Sequence, residues 1–283
     1  MISTRIRGGL GNQLFQYCAG RALALRHGVD LSLDLRDYDG LNAFSVGLGH
    51  FNVQTVPAER LPAGREDGVF GVLAKVVKGG ALRTYREAKL GYDAGFGALG
   101  DETHLKGYWQ SERYFLDHED QIRSDLQMVA EPSQQNVDMR GEIAACNAVS
   151  LHIRRGDYVS NAKFNAVHGT CDLDYYARAA GFVADRVGDP VIYAFSDDPA
   201  WVAENLELPF EMRFVDHNDG STAHEDLRLM ATCKHHIIAN SSFSWWGAWL
   251  NSSQEKVVAA PTQWFAEPAK SNPDILPVSW HCV

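Results

Sequence analysis

The sequence predicts an α/β protein with parallel sheets, and three observations carry that prediction. The chain opens as strand, Gly-rich turn, helix and strand within its first 34 residues. From residue 148 to residue 260, strand and helix patterns alternate again. Three of those later strands run directly into polar loops, as in open α/β sheets, which bind ligands beyond the carboxyl ends of their strands.

A short strand around Ile2–Ile6 leads into Arg7-Gly8-Gly9-Leu10-Gly11-Asn12-Gln13. Leu14, Phe15, Cys18, Leu23 and Leu25 follow at near-helical spacing, which predicts a helix from Asn12 to His27 with Asn12 as N-cap and Gly28 past its end. Val29–Asp34 alternates as the next strand. The Gly-rich turn therefore meets a helix N-terminus, where N–H groups and the helix dipole favour an anion. Asp34 stands where a dinucleotide fold keeps its ribose-binding acid, but Leu14 replaces the third fingerprint glycine, so the nicotinamide match is incomplete.

Residues 35–100 carry little pattern. Lys75, Lys78, Arg83, Arg86 and Lys89 form a basic segment expected to span helix and loop, either as a solvated face or as part of an acceptor surface. His104–Gln110 reads as a strand ending in a turn, and Glu112–Leu126 as a helix. Tyr108 and Trp109 are either core aromatics or a sugar-stacking wall. Glu131 to Arg140, with a proline, a serine and paired glutamines, is the linker candidate, dividing the chain into 1–135 and 140–283. Beyond it the expected elements are a strand Ala148–Ile153, a helix Asp174–Arg186 and a strand Pro190–Ser196. A strand near Glu211–Val215, a helix at about Ala223–Cys233, a strand His235–Ala239, a helix carrying Trp249 and a strand Lys256–Ala260 complete the series.

The chain has 283 residues, 45% hydrophobic and 22% charged, enough for a substantial core. Its net charge of −10 opposes a nucleic-acid partner held through phosphates, and equally opposes adhesion to an anionic membrane. Five scattered cysteines without a C-x-x-C form neither a disulfide framework nor a zinc site, and favour a reducing compartment. No apolar run approaches membrane-spanning length, and no leader pattern precedes the first strand. The expectation is a cytoplasmic protein, at most peripherally attached at the inner face of the membrane.

The densest chemistry lies in Leu151-His152-Ile153-Arg154-Arg155-Gly156-Asp157. Strand alternation puts His152 and Arg154 on one face and Ile153 and Arg155 on the other. Two guanidiniums at a strand end suit a dianion such as a diphosphate, because each offers a rigid fork of donors; the alternative is a structural Arg–Asp ion pair. Asp172-Leu173-Asp174 could hold a metal under a sugar diphosphate, but its place just ahead of a helix favours N-cap duty. His235 and His236 are neighbours on a strand and point oppositely, and His217 and His224 lack metal-ligand spacing, so no metal site is predicted. Ser241-Ser242-Phe243-Ser244 precedes a helix, where hydroxyls and N–H groups suit a phosphate better than nucleophilic attack.

Four stretches, Arg7–Tyr17, Gly107–Phe115, His152–Val159 and Ile238–Trp246, together resemble the bacterial α-1,2-fucosyltransferases of glycosyltransferase family 11. They occur in the family's order, and the likeness spans residue 7 to about 264. The resemblance implies a GT-B-like architecture of two Rossmann-type parallel-sheet halves facing a central cleft. Residues 1–135 would be the acceptor side with the Gly-rich phosphate loop, and 140–283 would bind GDP-fucose. It implies inverting, metal-independent transfer of L-fucose from GDP-β-L-fucose, with no cofactor, to O2 of a terminal galactose. The acceptor would be a β-galactoside-terminated oligosaccharide or a lipid-linked glycan such as an O-antigen repeat.

By the same resemblance Arg154 would bind the β-phosphate and stabilise departing GDP, with Arg155 beside it. His152 and Asp226 would hold guanine or ribose. Gly9, Gly11, Asn12 and Gln13 would lie along the diphosphate and fucose, and Asn240, Ser241, Ser242 and Ser244 would add contacts from the other half. Asp157 is the candidate base for the acceptor hydroxyl, or else a salt-bridge partner of Arg154 or Arg155; His168 is the second candidate base. A non-catalytic nucleotide-sugar or glycan-binding module is the competing class, and it predicts ligand binding without turnover.

Overall fold

The computed structural model describes residues 1–38, 45–62, 81–156, 162–267 and 269–283. The chain divides into two compact units, Met1–Val129 and Ala130–Val283, each an α/β unit on a parallel sheet.

In the first unit, β1 (Ile2–Arg5), β2 (Leu31–Asp34), β3 (Arg83–Arg86) and β4 (Thr103–Lys106) pair in parallel in the order β2-β1-β4-β3. Parallel neighbours need a crossover, and α1 (Leu10–His27) supplies it between β1 and β2. The helix starts earlier than its apolar spacing suggests. Gly8 takes φ 80°, where a side chain would be strained, and a Cβ there would lie 2.9 Å from Asn12 Nδ2. That tight turn makes Gly9 the N-cap and leaves Asn12 inside the first helical turn, correcting the expected cap. At the other end Gly28 is left-handed (φ 62°), and its N–H meets the carbonyls of Ala24 and Leu25 as expected.

Two further expectations for this unit need revision. Arg83 and Arg86 lie on strand β3 rather than on helix and loop, while Lys75 and Lys78 lie outside the described residues. Glu112–Leu126 is not one helix: 3-10 turns at Glu112–Tyr114 and Leu116–His118 precede a short α2 (Glu119–Asp125). Phe115, fully buried at φ −136°, breaks the helical run because its ring packs against Phe15 of α1.

The second unit begins with α3 (Gln134–Ala144), N-capped by Ser133, where a linker was expected. There follow β5 (Ala148–Ile153), α4 (Ala162–His168), α5 (Leu173–Val187), β6 (Val191–Ser196), α6 (Pro199–Asn205) and β7 (Glu211–Val215). Then come α7 (Ala223–Thr232), β8 (His235–Ile237), α8 (Ser242–Leu250), β9 (Val258–Ala260) and β10 (His281–Cys282). The strands form one parallel sheet in the order β10-β9-β8-β5-β6-β7.

Every residue of β5 is buried, as a central parallel strand covered on both faces must be. Val149, Leu151 and Ile153 pack with Tyr175, Tyr176, Ala179, Ala180 and Val183 of α5. Ala148 turns to the opposite face, with Leu229 and Met230 of α7. That parity aims His152 and Arg154 away from α5, toward the α7–α8 side. Because all strands are parallel, their carboxyl ends, and the loops that follow them, share one edge. Among the described residues no helix is long and apolar enough to cross a membrane.

Candidate active site

At the end of β5 the two arginines leave the strand on separate anchors. Arg154 Nη1 lies 2.7 Å from Asp197 Oδ2, both side chains being a quarter exposed. Asp197 follows β6, the strand next to β5, and its other oxygen accepts the backbone N–H of Arg155 at 2.8 Å. The Arg155 guanidinium swings the other way, with Nε 3.2 Å from Asp198 Oδ2 and its carbon 3.4 Å above the Trp201 ring. Trp201 belongs to α6, which Asp198 caps through the N–H of Trp201. One short acidic turn thus orients both arginines. Gly156 is needed beside it, since a Cβ there would collide with the Asp197 carboxylate. The Arg–Asp pair left open by the sequence does form, with a partner from β6. Asp157 lies outside the described residues.

His152 sits just inside this edge. It is 4% exposed, its ring centroid is 5.6 Å from that of Phe243, and its Nδ1 has no hydrogen-bond partner among the described residues. Burial lowers its pKa to about 4 against the opposing pull of Asp197, so the ring is neutral at pH 7. Phe243 is the second residue of α8. Ser241 caps that helix by accepting the Phe243 N–H at 3.3 Å, and no acid stands in its first turn. Ser244 is buried and donates to the Ser241 carbonyl at 3.3 Å, so its hydroxyl supports the turn. A neutral, unsatisfied imidazole beside an arginine and a serine-capped helix N-terminus can receive a polar, anionic ligand.

Asp226, on α7, has its own set of polar neighbours. Asn218 Nδ2 donates to its Oδ1 at 2.8 Å. Asn218 and Asn136 exchange two amide bonds of 3.0 Å, and Asn136 Oδ1 also meets His217 Nε2 at 2.8 Å. Burial pushes the Asp226 carboxyl up to about 6, and the Asn218 bond only partly counters it. Oδ2 has no hydrogen-bond partner among the described residues. Such a carboxylate can accept from an N–H pair on a ligand.

Two other candidates, Asn240 and His168, line one cavity. Asn240 donates to the carbonyls of His168, Gly169 and Trp264 at 2.9, 3.3 and 3.2 Å, so its amide clamps three loops. His168 lies tilted against Phe265, ring centroids 5.5 Å apart, and, with Asn240, Cys171 and Arg178, lines a cavity of about 260 Å³ beside the start of α5. Asp172 caps α5, accepting from Tyr175 N at 2.7 Å.

In the first unit, Gly9 and Gly11 form the turn into α1, and Asn12 accepts from Gln110 at 2.8 Å. Gln13 is fully buried: its amide donates to the carbonyls of Gly8 and Ser45 and accepts from Gly47 N, which fastens residues 45–47 to the turn. Asp34 is equally inaccessible to a ribose. Arg5 and Arg36 bind it at 3.0 and 2.8 Å and, against burial, hold its pKa at about 2. Trp109 is fully buried against Tyr85, Phe96 and Tyr114 at φ 56°, a core aromatic; Tyr108 is half-exposed under Arg7.

Sequence reasoning missed Asp197, Asp198, Trp201, Asn136 and Asn218. The Ser196-Asp197-Asp198-Pro199 turn at a strand end was a visible signal for the first two. Asn136 carried none, lying in the expected linker.

A family model described as glycosyl transferase family 11 matches residues 84–283. An α-1,2-colitosyltransferase of Escherichia coli is 33% identical over 290 residues, covering 99% of this chain and 98% of that one. The O-antigen biosynthesis glycosyltransferase WbnK, also of Escherichia coli, is 32% identical over 94% of this chain and 95% of its own. Among solved structures, the α-1,6-fucosyltransferase NodZ soaked with GDP-fucose superposes with a TM-score of 0.52 at 15% identity, covering 87% of this chain and 91% of that one. That likeness shows a shared GT-B-like fold.

Proposed function

The chain belongs to glycosyl transferase family 11 and is a glycosyltransferase, and from that membership we propose that it transfers L-fucose from GDP-β-L-fucose, with inversion and without a metal, to O2 of a terminal galactose. The observation that carries the reading is the grouping of Arg154, neutral His152 and the Ser241-capped start of α8 at one sheet edge. A diphosphate leaving group needs positive charge placed before the bond breaks, and Arg154, oriented by Asp197, supplies it. His152 Nδ1 and Asp226 Oδ2 are suited to the nucleoside, the carboxylate accepting from the adjacent N–H groups of guanine. Ser241 and Ser242 contribute phosphate contacts. Asp157 or His168 takes the acceptor proton.

A second reading concerns only the donor sugar, since a relative matched over nearly its whole length transfers colitose. It is decided by the test of the first: GDP release measured with a β-galactoside in EDTA, from GDP-fucose and from nucleotide-activated colitose, for the wild type and Arg154→Ala. Galactoside-stimulated release from GDP-fucose that survives chelation is expected. It should fall roughly 100-fold in the variant, the loss of about 3 kcal/mol of leaving-group stabilisation. Release with colitose alone would replace the donor. Binding of GDP-fucose without release would favour a non-catalytic module.

A further inference from the structure

In the first unit, residues paired in register on neighbouring strands point to one face of the sheet. Arg5 pairs with Asp34, and Arg86 with Lys106. The β1–β4 register, Ser3↔His104 and Thr4↔Leu105, sets Arg5 beside Lys106. Asp34, Arg5, Lys106 and Arg86 therefore form a row across all four strands at their carboxyl ends. The row faces away from α1, which binds the intervening Thr4 through the Gln16 carbonyl.

The charges along this row do not cancel. Asp34 and Asp37 are occupied by Arg5 and Arg36. Lys106 and Arg86 have no ion pair or side-chain hydrogen bond among the described residues, while the Arg7 guanidinium, past the end of β1, lies 5.3 Å over the Tyr108 ring and is attracted by Asp37. Glu87, just past the end of β3, accepts the N–H groups of Tyr108 and Trp109 at 2.8 and 3.0 Å. Charged residues on an edge strand deter edge-to-edge pairing, which accounts for Arg83 and Arg86. It does not account for Lys106, half-buried on the strand between β1 and β3, with Arg5 and Arg86 on the neighbouring strands, each about 4.8 Å away backbone to backbone. Burial first, then Arg86 and Arg5, push its pKa below the ordinary lysine range. Like charges side by side destabilise a sheet. The same edge carries the start of α1, which has no acid in its first turn and no side-chain cap.

We infer that Lys106, Arg86 and Arg7 form an anion site on the first unit, for a phosphate or diphosphate ester. This rests on the transferase reading, in which the ester belongs either to the donor or to a phosphate-bearing acceptor. An anion neutralises the row.

The test begins with inorganic diphosphate, titrated calorimetrically into the Arg154→Ala chain so that the second unit's arginine is removed. Binding is expected to weaken with salt and to fall at least about tenfold when Arg86→Gln and Lys106→Gln are added. Thermal melting confirms that the variants fold. In the Arg154-intact chain, KM values are then compared for GDP-fucose, a neutral galactoside and the same galactoside carrying a phosphate aglycone. A rise confined to GDP-fucose assigns the site to the donor diphosphate. A rise confined to the phosphate-bearing galactoside assigns it to the acceptor. Unchanged diphosphate affinity together with unchanged KM values overturns the site. Diphosphate binding needs no turnover, so a chain that binds it here yet transfers no sugar would sink the transferase reading alone.

Discussion

Arg154 and Arg155 are adjacent in sequence, yet their neighbours give them different work. Arg155, stacked on Trp201 and bonded to Asp198, is fixed against α6, whereas Arg154 pairs with Asp197. Asp197→Asn keeps an acceptor for Arg155 N but removes the charge that aims Arg154, so kcat should drop about tenfold, the worth of one charge-assisted bond. Gly156→Ala should reproduce that defect, because its methyl displaces the same carboxylate. A kcat in either variant equal to wild type would dissociate Asp197 from the reaction. Asp226 offers a pH test. Its carboxyl titrates at about 6, raised by burial, so below that pH it is protonated and loses acceptor strength. GDP affinity should weaken as pH falls from 7 to 5, and the profile should flatten in Asp226→Asn. A wild-type dissociation constant independent of pH over that range would remove Asp226 from nucleotide binding.

Among the elements, α5 decides what Asp172-Leu173-Asp174 is for. Asp172 binds the Tyr175 N–H at the helix start, the geometry of a cap. Asp172→Ala should therefore cost about 1 kcal/mol of stability in denaturant titration while leaving EDTA-resistant turnover intact. Loss of turnover at unchanged stability would point instead to a ligand role. Helix α3 shows why composition misleads. Pro132, Ser133 and the paired glutamines look like a spacer, but Ser133 caps the helix and Asn136, 2% exposed, reaches across to Asn218. The buried face has only a few apolar residues, which left no clear period to read.

For the whole molecule, the buried histidines His104, His152 and His236 set the acid limit. Burial lowers His104 and His152 to about 4 and His236 well below its ordinary value. His236 is bonded on both sides, Nδ1 2.8 Å from Ser150 Oγ and Nε2 3.0 Å from Asn251 Nδ2. The unfolded chain protonates these rings near pH 6.5 and the folded chain does not, so stability is lost as pH falls from about 6.5 toward 4. Each ring contributes about 1.4 kcal/mol per pH unit in that window. Asp226, raised to about 6, works in the opposite sense: the folded state holds its proton more tightly, which offsets roughly one ring. Urea midpoints should therefore fall clearly between pH 7 and pH 5. Equal midpoints would mean that these rings take up protons in the folded state.

What could be read along the chain was whatever repeats or caps locally. The βαβ opening, Gly28 as a left-handed stop, the apolar stripe of α5 and the polar ends of β5, β6 and β8 are all short-range patterns. The four family motifs are local too, which is why family and fold could be reached from residues alone. Partnership across strands is not local. Asp197 meets Arg154 because β6 lies beside β5, and Lys106 stands between Arg5 and Arg86 because β4 inserts between β1 and β3. Asn240 and Gln13, promising as polar residues in signature loops, have their amides occupied by carbonyls brought from distant segments. Strand order and register decide which charges are cancelled and which stay available, and in this chain those pairings join segments far apart in sequence, beyond the reach of any periodic signal.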